Sequence, residues 1–253
     1  MSTPTTATTP STVTKPWLVA VCRTVGGLAA RALFRVRIDG ADNVPSDGPV
    51  LLAGNHSGFV DGPLVFLLAP RPPALLAKAE IFLGPFATLF PWLGQIPVHR
   101  GKPDRAALKA GLAELAAGRA LGVFPEGTRG GGTFDEITDG LAYLALRSGA
   151  PVVPIAVLGT AAAWPHGNRP PRLRAPVRIV FGPPIALQVE GDPRARRTVS
   201  TAAEQLRLAL VDHLQVAPST LVIDGRMQAL SRLLASLKLP ETFRGSQVSG
   251  AGS

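Results

Sequence analysis

The chain has 253 residues, 46% of them hydrophobic, enough for one large domain or two small ones and too apolar for global disorder. Cys22 is the single cysteine, which excludes an internal disulfide and a cysteine-built zinc site. The formal charge of +9 suits anionic lipid, phosphorylated substrates or nucleic acid, but the few aromatics and the lack of any zinc-finger, basic-zipper or RNA-binding signature count against nucleic acid.

Residues 1–15 are polar and Thr-rich and are expected to be a disordered tail rather than a secretory signal. Residues 16–38 are apolar but carry Arg23, Arg31, Arg35 and Arg37, too many charges for a spanning helix. Trp17, Val21, Val25, Leu28 and Ala32 recur at helical spacing, which predicts an amphipathic helix lying in a membrane interface. The bland alternative is a surface helix packed on the domain.

Residues 39–239 are expected to form the main domain. Strands are predicted at 49–55, 73–79, 95–100, 120–127, 152–159 and 177–182. Helices are predicted at 62–69, at 80–94 with proline breaks, from Pro103–Asp104 to Gly118, at 198–215 and at 219–237. Residues 240–253 are polar and Gly/Ser-rich and are expected to be a flexible tail. Strands alternating with helices imply an α/β fold: a central, mostly parallel sheet covered by helices on both faces. Chemistry in such sheets sits at the carboxyl ends of the strands.

Two loops that succeed predicted strands are dense in functional groups. The first, NHSGFVDG at 55–62, holds His56 and Asp61 five positions apart. A core histidine fits poorly in a polar, Gly-containing loop, though a structural loop histidine fits. A metal needs three or four ligands, and only a distant His99 could join this pair. Proton transfer needs less: an imidazole accepts a proton, and a carboxylate on its other nitrogen fixes the tautomer. Ser57 adjoins His56 too closely for a triad, and no G-x-S-x-G elbow, phosphate loop or dinucleotide fingerprint occurs. The nucleophile is then a substrate hydroxyl. The second loop, FPEGTRGGG at 124–132, places Glu126, Thr128 and Arg129 around Gly127. It reads as an oxyanion or phosphate site, or as a charged turn with a local Glu126–Arg129 pair.

Together these segments resemble the glycerolipid acyltransferase family, the group of 1-acylglycerol-3-phosphate (lysophosphatidic acid) acyltransferases. NHSGFVD is similar to its His-x4-Asp block, GQIPVHRG to its second block with Arg100 at the basic position, FPEGTR to its third and VVPIAV, with Pro154, to its fourth. AKAEIF at 77–82 resembles a further Lys-x-Glu stretch. The blocks keep the family's order over roughly 35–185. His99, Gly58 and Phe59 depart from it, where acidic, amide or polar residues are frequent.

The resemblance implies an O-acyltransferase of phospholipid biosynthesis, with His56 as general base and Asp61 orienting it. Arg100, Glu126, Gly127, Thr128 and Arg129 would shape the acceptor's phosphate site, with Glu126 holding Arg129 or the loop backbone because like charges repel. The acyl group would pass from acyl-CoA or acyl carrier protein to a lysophospholipid, most simply 1-acylglycerol 3-phosphate, giving phosphatidic acid. No metal and no bound cofactor is required. The expected partners are the lysophospholipid, the thioester donor, with acyl carrier protein as one form of it, and an anionic membrane surface, with no nucleic acid. The expected location is the cytoplasmic face of the cell membrane, held peripherally. The alternatives are a non-catalytic basic lipid-binding protein and a family member with another lysolipid or glycolipid acceptor.

Overall fold

The computed structural model describes residues 14–84, 86–99, 104–126, 132–165 and 170–236, with side chains up to 217. The expected tails at 1–15 and 240–253 lie almost wholly outside these residues. The chain divides into two compact units, Met1–Leu214 and Gln215–Ser253. The first unit holds the whole sheet and both loops rich in functional groups.

Seven strands form one sheet in the order β1-β7-β6-β2-β5-β3-β4. They are β1 (Phe34–Asp39), β2 (Val50–Gly54), β3 (Pro73–Lys78), β4 (Ile96–Val98), β5 (Ala120–Val123), β6 (Val152–Leu158) and β7 (Ala175–Phe181). Every neighbouring pair is parallel except β6–β7. The single reversal puts the starts of β1 and β7 at the same end as the carboxyl ends of the other five. β2 and β5 are buried along their whole length, as strands covered on both faces must be.

One face carries α1 (Pro16–Leu33), α2 (Asp61–Leu68) and α3 (Phe86–Trp92). The other carries α4 (Arg105–Ala116), α5 (Asp139–Ser148) and the first part of α7 (Arg196–Ser236). A one-turn α6 (Thr160–Ala163) succeeds β6. Asp104 starts α4 by accepting from the N–H groups of Ala106 and Ala107.

The sequence expectations differ from the fold in four places. The segment 16–38 is not one helix: α1 ends at Leu33, and FRVRID, which alternates apolar and polar residues, is the edge strand β1. The helix expected over 80–94 is reduced to α3 after a 3-10 turn at Ala79–Ile81, because Gly84 takes a left-handed φ of 56°. The two helices expected at 198–215 and 219–237 are one, α7. Helix α5, closed by Gly149 at φ 65°, has no counterpart among the predicted elements.

Helix α1 straps its face of the sheet from edge to edge. At its start the Lys15 N–H donates to the Trp92 carbonyl just ahead of β4, and the Lys15 ammonium lies 3.8 Å over the Trp92 ring. At its end it runs directly into β1, the opposite edge. Six strand spacings are about 29 Å, and 18 helical residues span about 27 Å, so the helix length matches the sheet width. It crosses α2 closely because Gly26 has no side chain; a Cβ there would lie 2.6 Å from Leu67 Cδ2. Arg23 turns inward and donates to the carbonyls of Phe66 and Ala69, which end α2.

On the other side, His213 of α7 donates from Nε2 to the Val180 carbonyl at 3.1 Å, and burial lowers its pKa. The folded chain then binds fewer protons than the unfolded chain once pH falls below about 6.5. Stability contributed by neutral His213 is present above that value and lost as pH falls through it towards the depressed folded pKa. Denaturant midpoints of wild type and His213→Gln should therefore converge on going from pH 7.5 to pH 5.5, with wild type losing more. A constant gap between the two would remove this role.

Candidate active site

The site is built on the end of β2, a central strand. Asn55 comes directly after Gly54 and is buried. Its side-chain amide takes over from the backbone ladder: Nδ2 donates to the Val157 carbonyl at 3.2 Å and Oδ1 accepts from the Val157 N–H at 2.7 Å. This fastens the turn to β6 and releases the next residue, His56, from the sheet.

His56 Nδ1 lies 3.0 Å from Asp61 Oδ2. The histidine side chain is 15% exposed and the aspartate 0%. A carboxylate accepts, so Nδ1 carries the proton and Nε2 presents a lone pair. Asp61 stands in the first turn of α2, where the helix N-terminus favours negative charge. Its Oδ2 also accepts from the Gly58 N–H at 2.6 Å, while Oδ1 is buried with no hydrogen-bond partner among the described residues. A buried carboxylate so poorly solvated is a strong electrostatic partner for an imidazolium on His56.

Packing also fixes the ring. The Phe124 ring lies 4.8 Å from the His56 ring, tilted by 34°. Gly54 makes room for Phe124, since a Cβ there would sit 3.1 Å from the ring edge, whereas one on Gly62 would make ordinary contact at 3.7 Å. The sequence signal for this was the glycine ahead of the His–Asp pair, but its partner, at the end of β5, was not legible.

The second loop joins the first because β5 neighbours β2. The half-buried Glu126 carboxylate faces the backbone N–H groups of His56, at 3.4 Å, and of Gly132 and Phe134. Burial raises its pKa, and these three donors act against the rise. Glu126 therefore ties the two loops together through backbone groups. Arg100, Gly127, Thr128 and Arg129 lie outside the described residues. His99 pairs with Asp104 at 3.0 Å beside the edge strand β4, three strands from β2, so the two histidines are held by separate carboxylates. Among the described residues no group of three or more His, Cys, Asp or Glu side chains is placed to hold a metal ion.

Residues 35–158, which hold both loops, match the family model described as Acyltransferase. In this segment the chain belongs to the acyltransferase family. It is 29% identical over 178 residues to a 1-acyl-sn-glycerol-3-phosphate acyltransferase of Cocos nucifera, covering 68% of this chain and 56% of that one. It is 32% identical over 136 residues to the protein of the same name from Borreliella burgdorferi, covering 50% and 52%. The chain spans about half the length of these curated relatives. The crystal structure of the 1-acyl-sn-glycerophosphate acyltransferase of Thermotoga maritima shares the fold, with a TM-score of 0.58, 22% identity and coverage of 79% and 80%.

One residue that departs from the family pattern has a local cause in this chain. A Cβ on Gly58 would lie 2.6 Å from Thr160 Oγ1 and 3.0 Å from the Ala161 N, and Thr160 is wholly buried. Gly58→Ala must push the 56–61 turn off α6. It should cost about 1–3 kcal/mol, as overpacking does, and lower turnover because the His56–Asp61 bond shares that turn. A denaturant midpoint and turnover both equal to wild type would refute the close approach.

Proposed function

We propose that this chain is a 1-acylglycerol-3-phosphate O-acyltransferase acting at a membrane surface. The observation that supports it best is the His56–Asp61 pair, with Asp61 fully buried and one imidazole nitrogen left for substrate. The activity for which the relatives are named supplies the acceptor. In this reading His56 Nε2 takes the proton of the acceptor hydroxyl as its oxygen attacks the carbonyl carbon of an acyl thioester. The tetrahedral intermediate collapses, the carbon–sulfur bond breaks, and the imidazolium returns the proton to the thiolate. The products are phosphatidic acid and a free thiol, and no acyl-enzyme forms. The donor is acyl-CoA or acyl carrier protein. Arg100, Gly127, Thr128 and Arg129 are proposed to form the phosphate site, with Glu126 organising the loop that carries three of them.

Acyl transfer to 1-acylglycerol 3-phosphate, with mass spectrometry of the product, tests the reading. His56→Ala should lower turnover about 10²–10⁴-fold in a protein that still folds. A folded variant with near-normal turnover would eliminate the mechanism. Absence of transfer by wild type to any lysolipid would favour a lipid-binding protein.

The membrane reading is supported by α1, and the cytoplasmic face is proposed as its side. Trp17, Val21, Val25, Leu28 and Ala32 are all exposed, while Val19 and Ala30 face the core. No helix among the described residues is long and apolar enough to cross a membrane. Removal of residues 1–38 would strip β1 from the sheet, so substitution is the sounder test. Val21→Ser, Val25→Ser and Leu28→Ser together should release the protein from vesicles and depress activity on vesicle-borne acceptor. Activity on a short, monomeric acceptor should persist. Unchanged vesicle binding would eliminate α1 as the contact.

A further inference from the structure

The exposed large apolar side chains of this unit are unevenly placed. Trp17, Val21, Val25 and Leu28 lie along α1, and Leu33, Phe59, Ile81, Leu83, Phe86, Trp92 and Leu173 lie on the same side or at the active-site end. Among the described residues of this unit's opposite face, only Leu208 is comparable, with Val216 exposed further along α7 in the second unit. The charges that accompany this apolar surface differ from those expected of α1 itself. Arg23 is spent on the end of α2, and Arg37 is paired with Asp39 at 2.9 Å. Exposed arginines gather instead where α1 ends and where β1 and β7 begin.

Arg31, Arg35, Arg172 and Arg174 are all exposed there. Arg35 Nε donates to the Arg174 carbonyl at 2.8 Å, and Arg174 Nη1 donates to the Arg31 carbonyl at 3.1 Å. The Arg172 N–H donates to the Ala163 carbonyl at 2.7 Å, which ties the turn to α6. Among the described residues no carboxylate pairs with any of the four. Arg174 holds a left-handed φ of 60°, a conformation that glycine takes at less cost. Strain of this kind persists where the side chain is needed. Leu173, between two of the arginines, is 71% exposed, and Leu33 beside them is also exposed.

We propose that Arg31, Arg35, Arg172 and Arg174, with Leu173 and Leu33 between them, form an anionic-phospholipid docking site that continues the apolar face of α1. The combination selects the ligand. Guanidinium groups match phosphate oxygens, and exposed leucines at the same tip suit the boundary between headgroups and acyl chains. A nucleic acid would give Leu173 nothing to enter. The site begins on β1, three strand spacings or about 14 Å from β2. A lipid bound there is therefore not the acceptor at His56. It is a bilayer lipid that anchors the chain with the end of the sheet carrying His56 near the surface. The proposal rests on the membrane reading above and not on the chemistry assigned to His56.

The test uses the full chain with Arg172→Gln and Arg174→Gly combined; glycine accepts the left-handed φ, so the turn is kept. Vesicles of phosphatidylcholine carry either no phosphatidylglycerol or about a third. Each basic residue near such a surface changes binding about fivefold, so the pair should cost about 25-fold on anionic vesicles in low salt, with little change on neutral ones. The difference should shrink as salt rises. The control is Arg196→Gln with Arg197→Gln, which removes the same charge from exposed positions on the far face. It should bind as wild type does. Turnover on a monomeric acceptor should be unchanged in both, which keeps this test separate from that of the catalytic reading. Equal losses in both variants would reduce the effect to net charge and overturn the site. So would wild-type affinity in the first variant, or equal loss on neutral vesicles. Loss of binding to a short DNA duplex, with vesicle binding intact, would overturn it in favour of nucleic acid.

Discussion

Two hydrogen bonds from one side chain hold the site in place. β2 must stop pairing for His56 to leave the sheet, yet a buried strand end cannot leave backbone groups unpaired. The Asn55 amide resolves this by bonding the N–H and carbonyl of Val157 in the neighbouring strand. Every later feature of the loop depends on that anchor: the bond from His56 to Asp61, the contact of Gly58 with Thr160, and the approach of Glu126 from β5. The His56 ring is thus held by a hydrogen bond on one atom and by Phe124 on its surface. As the proposed base, a ring positioned in this way would meet its proton without reorganisation, which is where much of the advantage of a fixed site lies.

The same economy of position governs charge. Arg23 and Arg31 stand eight residues apart on one helix, but they face different surroundings. Arg23 lies against the end of α2, where bare carbonyls need donors, and its burial lowers its pKa. Arg31 is exposed where α1 meets the edge of the sheet. An excess of arginine read from composition therefore divides into structural donors and free surface charge. Only the second kind can draw the molecule to an anionic partner.

Sidedness comes from α1. A helix as long as the sheet is wide covers one face with its own apolar side and offers a second apolar stripe outward. The opposite face, covered by α4, α5 and the start of α7, keeps polar residues outward. The first unit thus has one face with an outward apolar stripe and one that is mainly polar outward, and the carboxyl end of β2 opens at the rim between them.

The sequence by itself determined the α/β class, most strands, and His56 with Asp61 as a local pair. Those features have short range: buried strands are continuous apolar runs, and a turn into a helix brings residues five apart together. It also determined the exposed stripe of α1, because helical periodicity is local. Tertiary structure alone decided the rest. That FRVRID is an edge strand depended on β7, some 140 residues away, supplying its partner. That Phe124 supports His56 depended on β5 lying beside β2. That Glu126 bonds backbone rather than standing free depended on the same adjacency, and that Arg23 faces inward depended on where α2 ends. The physical reason is common to all four. A side chain's role is set by which unpaired group or surface it meets, and that meeting is made by strand order rather than by neighbours in the chain.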